Sequence, residues 1–179
     1  MFMTEHMQHL QQVFQVLQDN NLFAKFSKCS FAQNALEYLG HIISDKGVAT
    51  DPGKTQVMLE WPAPATATEL RAFLGLTGYY RKFVEKYGML AKPLTVLLQK
   101  STFTWTSEAQ LAFDSLKQAM SNTPVLAIPD FSKPFCVETD ACATGIGAVL
   151  LQDGHPLAFV SKALGPRTRG LSTYANFSS

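Results

Sequence analysis

Asp140 closes the apolar run Phe135-Cys136-Val137-Glu138-Thr139-Asp140, and small residues follow it, Ala141-Cys142-Ala143-Thr144-Gly145. A carboxylate at the end of a rigid strand is well placed to hold a divalent cation. The same residues also suit an Asx-turn, in which the side chain caps its own loop, and spacing by itself favours that use. Glu138, two residues earlier, shares a strand face with Asp140. A second group is Tyr79-Tyr80-Arg81-Lys82. It sits in a basic stretch, because from Glu69 to Lys100 six cations (Arg71, Arg81, Lys82, Lys86, Lys92, Lys100) face two carboxylates, Glu69 and Glu85. Cations beside aromatic rings suit a surface that tracks a nucleic-acid backbone, and equally suit a solvated helix face.

Other patterns carry less. His6 and His9 sit at i, i+3 with no third ligand nearby, so they read as solvated helix-face histidines. Gly145-x-Gly147 has no third glycine and no helix after it, which fits close packing within a strand better than a dinucleotide site. The cysteines, Cys29, Cys136 and Cys142, are odd in number and lack Cys-x-x-Cys spacing. Zinc and a disulfide framework are not expected from them.

The elements that would position these groups follow from periodicity. Met7, Leu10, Val13, Phe14 and Leu17 are spaced as a helix over residues 4–18, with Thr4 as cap and Asp19-Asn20-Asn21 as stop. LFAKFSKCSF and ALEYLGHIIS read as strands, separated by AQN. Asp51-Pro52 opens a short helix that ends at Trp61-Pro62. PAPAT then looks like a hinge. Thr66-x-x-Glu69 is a capping box for a helix with the stripe Leu70, Phe73, Leu74, Thr77 and Tyr80. Gly88 and Pro93 divide the remainder into short helices. Ser107-x-x-Gln110 is a second capping box, ahead of the stripe Ala109, Ala112, Phe113, Leu116 and Met120. After Pro124 the period changes, and three meander strands are expected near Phe135, Gly145 and Pro156.

The chain of 179 residues is 46% hydrophobic, which excludes disordered and fibrous classes. Its net charge of +1 excludes global attraction to polyanions, so any such partner must be held by a local patch. No apolar run approaches the ~18 residues of a membrane span, and the N-terminus has no signal-peptide core, so an intracellular chain without a membrane partner is expected.

Several strings then occur in order: YLGHIIS, the Trp61-Pro62 step, ELRAFLGLTGYYRKFV, Pro93-Leu94-Thr95, FTWTSEAQLAFDSLKQAM and PVLAIPDFSKPFCVETDACATGIGAVLLQ. Together they resemble the Pol polyprotein of gypsy-type LTR retrotransposons, from the end of its reverse transcriptase into its RNase H, over about residues 4–174. The resemblance implies an α+β chain in three parts. Residues 1–50 would be the end of the polymerase palm, 51–100 a helical thumb, and 101–179 a tether with the first three strands of a truncated RNase H-like mixed sheet. YLGHIIS resembles the hairpin that grips the primer end, which would place Leu39, Gly40 and His41 near the primer backbone. In a thumb, Tyr79, Arg81 and Lys82 would contact phosphates. The implied partner is an RNA–DNA hybrid or primer–template duplex, with no small-molecule cofactor. Asp140 matches the first of the family's four metal-binding carboxylates, which implies Mg2+.

Departures from the pattern are equally specific. The family's paired Asp-Asp occurs nowhere here; its hairpin would lie before residue 1. Phe177 stands where the second RNase H carboxylate belongs, after Thr173-Tyr174. One Asp cannot clamp two metal ions for in-line attack, so a vestigial Mg2+ site and a chain inactive by itself are expected. Other readings are a non-enzymatic hybrid-binding module, a fragment docking on full-length reverse transcriptase, and a decayed reading frame.

Overall fold

The computed structural model describes residues 3–142 and 144–165. Contacts divide the chain into two units, Met1–Leu36 and Glu37–Ser179. In the first, helix α1 (Met3–Asp19) has no buried residue and is followed by a 3₁₀ turn, Phe26–Lys28. Asn21, at φ +55°, takes the left-handed conformation that stops a helix. Thr4 lies inside α1 rather than at its cap. The strand expected in LFAKFSKCSF does not form. Phe23 and Phe26 are exposed there, and alternation alone stabilises nothing without a neighbouring strand to pair with.

A three-stranded sheet follows in the order β1 (Ala35–Tyr38), β2 (His41–Ser44), β3 (Gly47–Thr50). β3 is also held on its outer side. Val48 and Leu126 exchange both backbone hydrogen bonds, at 2.7 and 2.8 Å. Gly47, at φ +127°, is required there, because a Cβ would come within 2.1 Å of the Leu126 carbonyl oxygen.

The helical layer starts with α2 (Pro52–Glu60), where the Asp51 side chain accepts from the Gly53 amide. α3 (Ala67–Tyr79) is capped by Thr66, which accepts from the Glu69 amide, while Glu69 reaches back to the Ala65 amide. After a 3₁₀ turn (Arg81–Phe83) come α4 (Tyr87–Leu90) and α5 (Lys92–Leu97). α6 (Ser107–Ser121) is capped by Thr106 instead of Ser107. Gln110 is engaged elsewhere, accepting from the Trp105 indole N–H at 2.8 Å, so it does not reach back to close the expected box.

All five stripe residues of α6 are buried, and they share one core with Met58, Leu70, Phe73, Tyr80, Phe83 and Leu94. The PAPAT segment is a mostly exposed corner tied to the helical layer, inside one compact unit and not a hinge between two. Pro64 is buried, and the Lys117 ammonium donates to the Trp61 carbonyl at 2.8 Å.

The second sheet is an antiparallel meander, β4 (Cys136–Cys142), β5 (Gly145–Gln152), β6 (His155–Ala163). One face meets the helical layer: Gly88 N–H donates to the Ser161 hydroxyl at 2.7 Å and Lys92 Nζ to the Leu164 carbonyl at 2.6 Å. Among the described residues no helix is long and apolar enough to cross a membrane.

Candidate functional site

The turn between β1 and β2 consists of Leu39 and Gly40, at φ +49° and +73°. Positive φ at both central residues gives a two-residue turn whose twist matches its strands. Glycine adopts this freely; leucine does not. The end of α3 lies beside the turn. Tyr79 Oη donates to the Leu39 carbonyl at 2.6 Å, and Tyr80 Oη donates to the Gly40 carbonyl at 2.8 Å.

His41 fills the slot between these tyrosines. Its ring stacks on Tyr79 at 5.3 Å and 7°, meets Tyr80 edge-on at 5.5 Å, and lies 5.4 Å from Phe83. Its Nδ1 is buried with no hydrogen-bond partner among the described residues. Burial, and then the charge of Lys82, hold the His41 pKa below its ordinary value, which favours the neutral imidazole. Burial also raises the Tyr80 hydroxyl, helped by Asp51, Tyr79 and Glu37, so it stays a donor. Lys82 Nζ is 5.2 Å from the Phe83 ring centre, and Arg81 and Lys82 are both exposed. Leu39 and Tyr79 are exposed as well, by 69% and 52%.

Leu39, Gly40, His41 and Tyr79 therefore meet at one corner, and the charge of Lys82 reaches His41, although these residues came from two separate motifs; Arg81 is exposed next to Tyr80 in the chain. Sequence reasoning missed Phe83 as the third ring around His41. The only signal for it was its place directly after Arg81-Lys82.

Asp140 lies apart from this corner, on β4 opposite Gly147. Its side chain is 67% exposed and is paired with the Lys86 ammonium at 3.2 Å. Lys86 sits at φ +58° ahead of α4, and its ammonium is also 3.6 Å from Glu85. The hydrogen bond to Asp140, then the charges of Asp140 and Glu85, raise its pKa. Glu138 shares the strand face, and both carboxylates line a groove of about 290 Å³ with Glu85, Lys86, Val149 and Phe159.

Mg2+ requires near-octahedral oxygen coordination, usually through carboxylates and water. Among the described residues no group of three or more His, Cys, Asp or Glu could hold a metal ion, and the Asp140 carboxylate faces a lysine. These residues do not fit the ion. Thr173, Tyr174 and Phe177 lie outside the described residues. The missing signal was Lys86, which the sequence offers only as one cation in a basic stretch.

Residues 105–176 match the family model described as the RNase H-like domain found in reverse transcriptase. The chain is 43% identical over 164 residues to the retrovirus-related Pol polyprotein from transposon 297 of Drosophila melanogaster, covering 90% of this chain and 16% of that one. It is 50% identical over 131 residues to an uncharacterized mitochondrial protein of Arabidopsis thaliana, covering 72% of this chain and 83% of the relative. The gypsy Pol polyprotein of Drosophila melanogaster is 35% identical, with 17% of its length covered, so the chain spans about a sixth of these polyproteins.

Among solved structures, a foamy viral protease-reverse transcriptase in complex with RNA/DNA hybrid superposes with TM-score 0.87 at 22% identity. That match covers 97% of this chain and 24% of that one. A second foamy viral protease-reverse transcriptase structure, with ds DNA, gives 0.88 at 22% identity and covers 97% of this chain and 31% of that one. At this identity the match establishes the fold, the mixed helix-and-sheet architecture described above. On these grounds the chain belongs to the retrotransposon Pol polyprotein family and carries the RNase H-like domain of its reverse transcriptase.

Proposed function

We propose that the chain holds a nucleic-acid duplex, an RNA–DNA hybrid or a primer–template, at the corner formed by the Leu39-Gly40 turn and Tyr79–Lys82. The observation that carries this reading is the convergence of those two segments. An exposed leucine and tyrosine ring lie at the junction where the exposed Lys82 acts on His41, with the exposed Arg81 next to it in the chain. Phosphate contacts from Arg81 and Lys82 position a duplex without reading its sequence, and apolar groups pack on its sugars. The foamy viral structures, described as complexes with RNA/DNA hybrid and ds DNA, support the same partner class.

In this reading the chain is of gypsy type. Residues 1–50 end a palm, 51–100 form the thumb, and 101–179 form the tether and the start of the RNase H-like domain. DNA synthesis and hybrid cleavage are activities of the longer polyprotein, and this chain by itself performs neither. Support comes from the lysine paired with Asp140. A second reading, docking on a full-length reverse transcriptase, draws on the sheet face opposite Asp140, where Val137 and Val160 are 61% and 68% exposed.

Fluorescence anisotropy of a labelled RNA–DNA hybrid, at low and moderate salt with and without Mg2+, tests the proposal. Saturable, salt-sensitive, Mg2+-independent binding with intact hybrid on a gel is expected. No binding by a folded sample would sink the duplex reading. Cleavage that vanishes in Asp140→Asn would sink the inactive assignment.

A further inference from the structure

The turn and the helical corner are joined in an unusually specific way. Two consecutive tyrosine hydroxyls donate to two consecutive carbonyls, each 40 residues away in sequence. The acceptors belong to the two residues at positive φ. His41, the next residue, is clasped by the rings of the same tyrosines. A Cβ on Gly40 would stand 3.0 Å from Tyr80 Oη, so the turn is seated tightly against the donor.

We propose that Tyr79 and Tyr80 are positioning residues, whose hydroxyls lock the Leu39-Gly40 turn onto the end of α3 so that both segments meet a duplex as one preformed surface. This rests on the duplex reading above and says how that site is built. A hairpin tip with a leucine at positive φ is strained and, unheld, would sample other conformations. Ordering it on binding would cost affinity; ordering it beforehand does not. The Tyr79 hydroxyl is directed at a main-chain oxygen of its own chain, so it is not a phosphate donor. Its effect on affinity is exerted through the turn.

That distinction is measurable. Tyr79→Phe and Tyr80→Phe, singly and together, keep the rings around His41 and remove only the hydroxyls. Lys82→Gln serves as the comparison for a phosphate contact. Each variant is titrated with labelled RNA–DNA hybrid across a salt series. Hydrogen exchange of the peptide covering residues 38–44 is followed in the same samples by mass spectrometry.

Each tyrosine variant is expected to bind about fivefold more weakly, the equivalent of one ordinary hydrogen bond, with the slope of log K against log salt unchanged. Lys82→Gln is expected to lower that slope by about one. Exchange over 38–44 should quicken several-fold in the tyrosine variants and stay as in wild type for Lys82→Gln. Tyr79→Phe, at the exposed position, keeps the test usable if the buried Tyr80→Phe unfolds.

A reduced salt slope in Tyr79→Phe would mean that the hydroxyl touches phosphate and would overturn the positioning role. Unchanged affinity and exchange in the double variant would overturn the lock itself. If folded wild type binds no hybrid, the duplex reading falls and preorganisation for it falls too; exchange still reports separately whether the turn is locked.

Discussion

Leu39 holds a backbone conformation that suits Asn or Gly far better than a leucine, at a cost of about 1 kcal/mol. Its side chain gains little from burial, since it is 69% exposed. Leu39→Asn should therefore raise stability by about 0.5–1 kcal/mol in urea unfolding, and weaken hybrid binding in the anisotropy titration. A gain in both would show that the leucine is not a contact. His41 gives a pH dependence with a definite sign. Its folded pKa lies below the ordinary 6.5, so its contribution is complete above that value and is lost as pH falls through the folded pKa. The groups facing it are Lys82, Tyr79 and Tyr80, with Asp51 and Glu37 acting on Tyr80. NMR titration should show His41 titrating below 6.5, and Lys82→Gln should move it upward. An unchanged midpoint in that variant would mean burial is the whole cause.

Among the elements, the glycines separate two opposite outcomes of one substitution. Gly75 lies in the exposed interior of α3 with nothing within 4 Å of an added Cβ. Gly75→Ala should stabilise by about 0.5–1 kcal/mol through helix propensity. Gly47→Ala places a methyl group on the Leu126 carbonyl and forces a positive φ on alanine, which should cost about 2–4 kcal/mol. Paired urea melts check both, and similar midpoints would contradict the fold around β3. The helices themselves were legible. Residue types at Asp51 and Thr66 announced two of the starts, because a cap is a bond between near neighbours. The cap of α6 moved by one residue, since Ser107 and Thr106 both offer a hydroxyl and the Trp105–Gln110 contact is not visible in spacing.

At the scale of the molecule, the seam between helical layer and second sheet is built from close approaches. Gly88 leaves room for the Ser161 carbonyl, which would lie 2.9 Å from a Cβ. Gly88→Ala should destabilise by about 1–3 kcal/mol and raise hydrogen exchange in α4 and β6 together. Exchange rising in α4 alone would mean the two sides of the seam are independent. The opposite sheet face shows Val137 and Val160 to solvent. Exposed apolar strand surface promotes association, so Val160→Lys should raise the concentration at which light scattering first detects aggregates. No change would locate the aggregating surface elsewhere.

The sequence by itself determined most of the helices and the buried stripe of α6, while the stripe of α1 stays exposed and the strand expected in LFAKFSKCSF does not form. Periods of 3.6 and 2 residues, and capping bonds between residues two or three apart, are local regularities that composition and order express directly. It also determined the family, through several motifs in one order. Only the tertiary structure decided which segments meet. Tyr79 and Tyr80 donate to main-chain carbonyls, which every residue carries, so no residue type marks Leu39 and Gly40 as the acceptors. The pairing of Lys86 with Asp140 is likewise chosen by the packing of α4 on β6, from among many cations that could have faced that carboxylate. Partners distant in the chain are selected by the fit of whole faces, and that fit is a property of the folded layers and not of any local pattern.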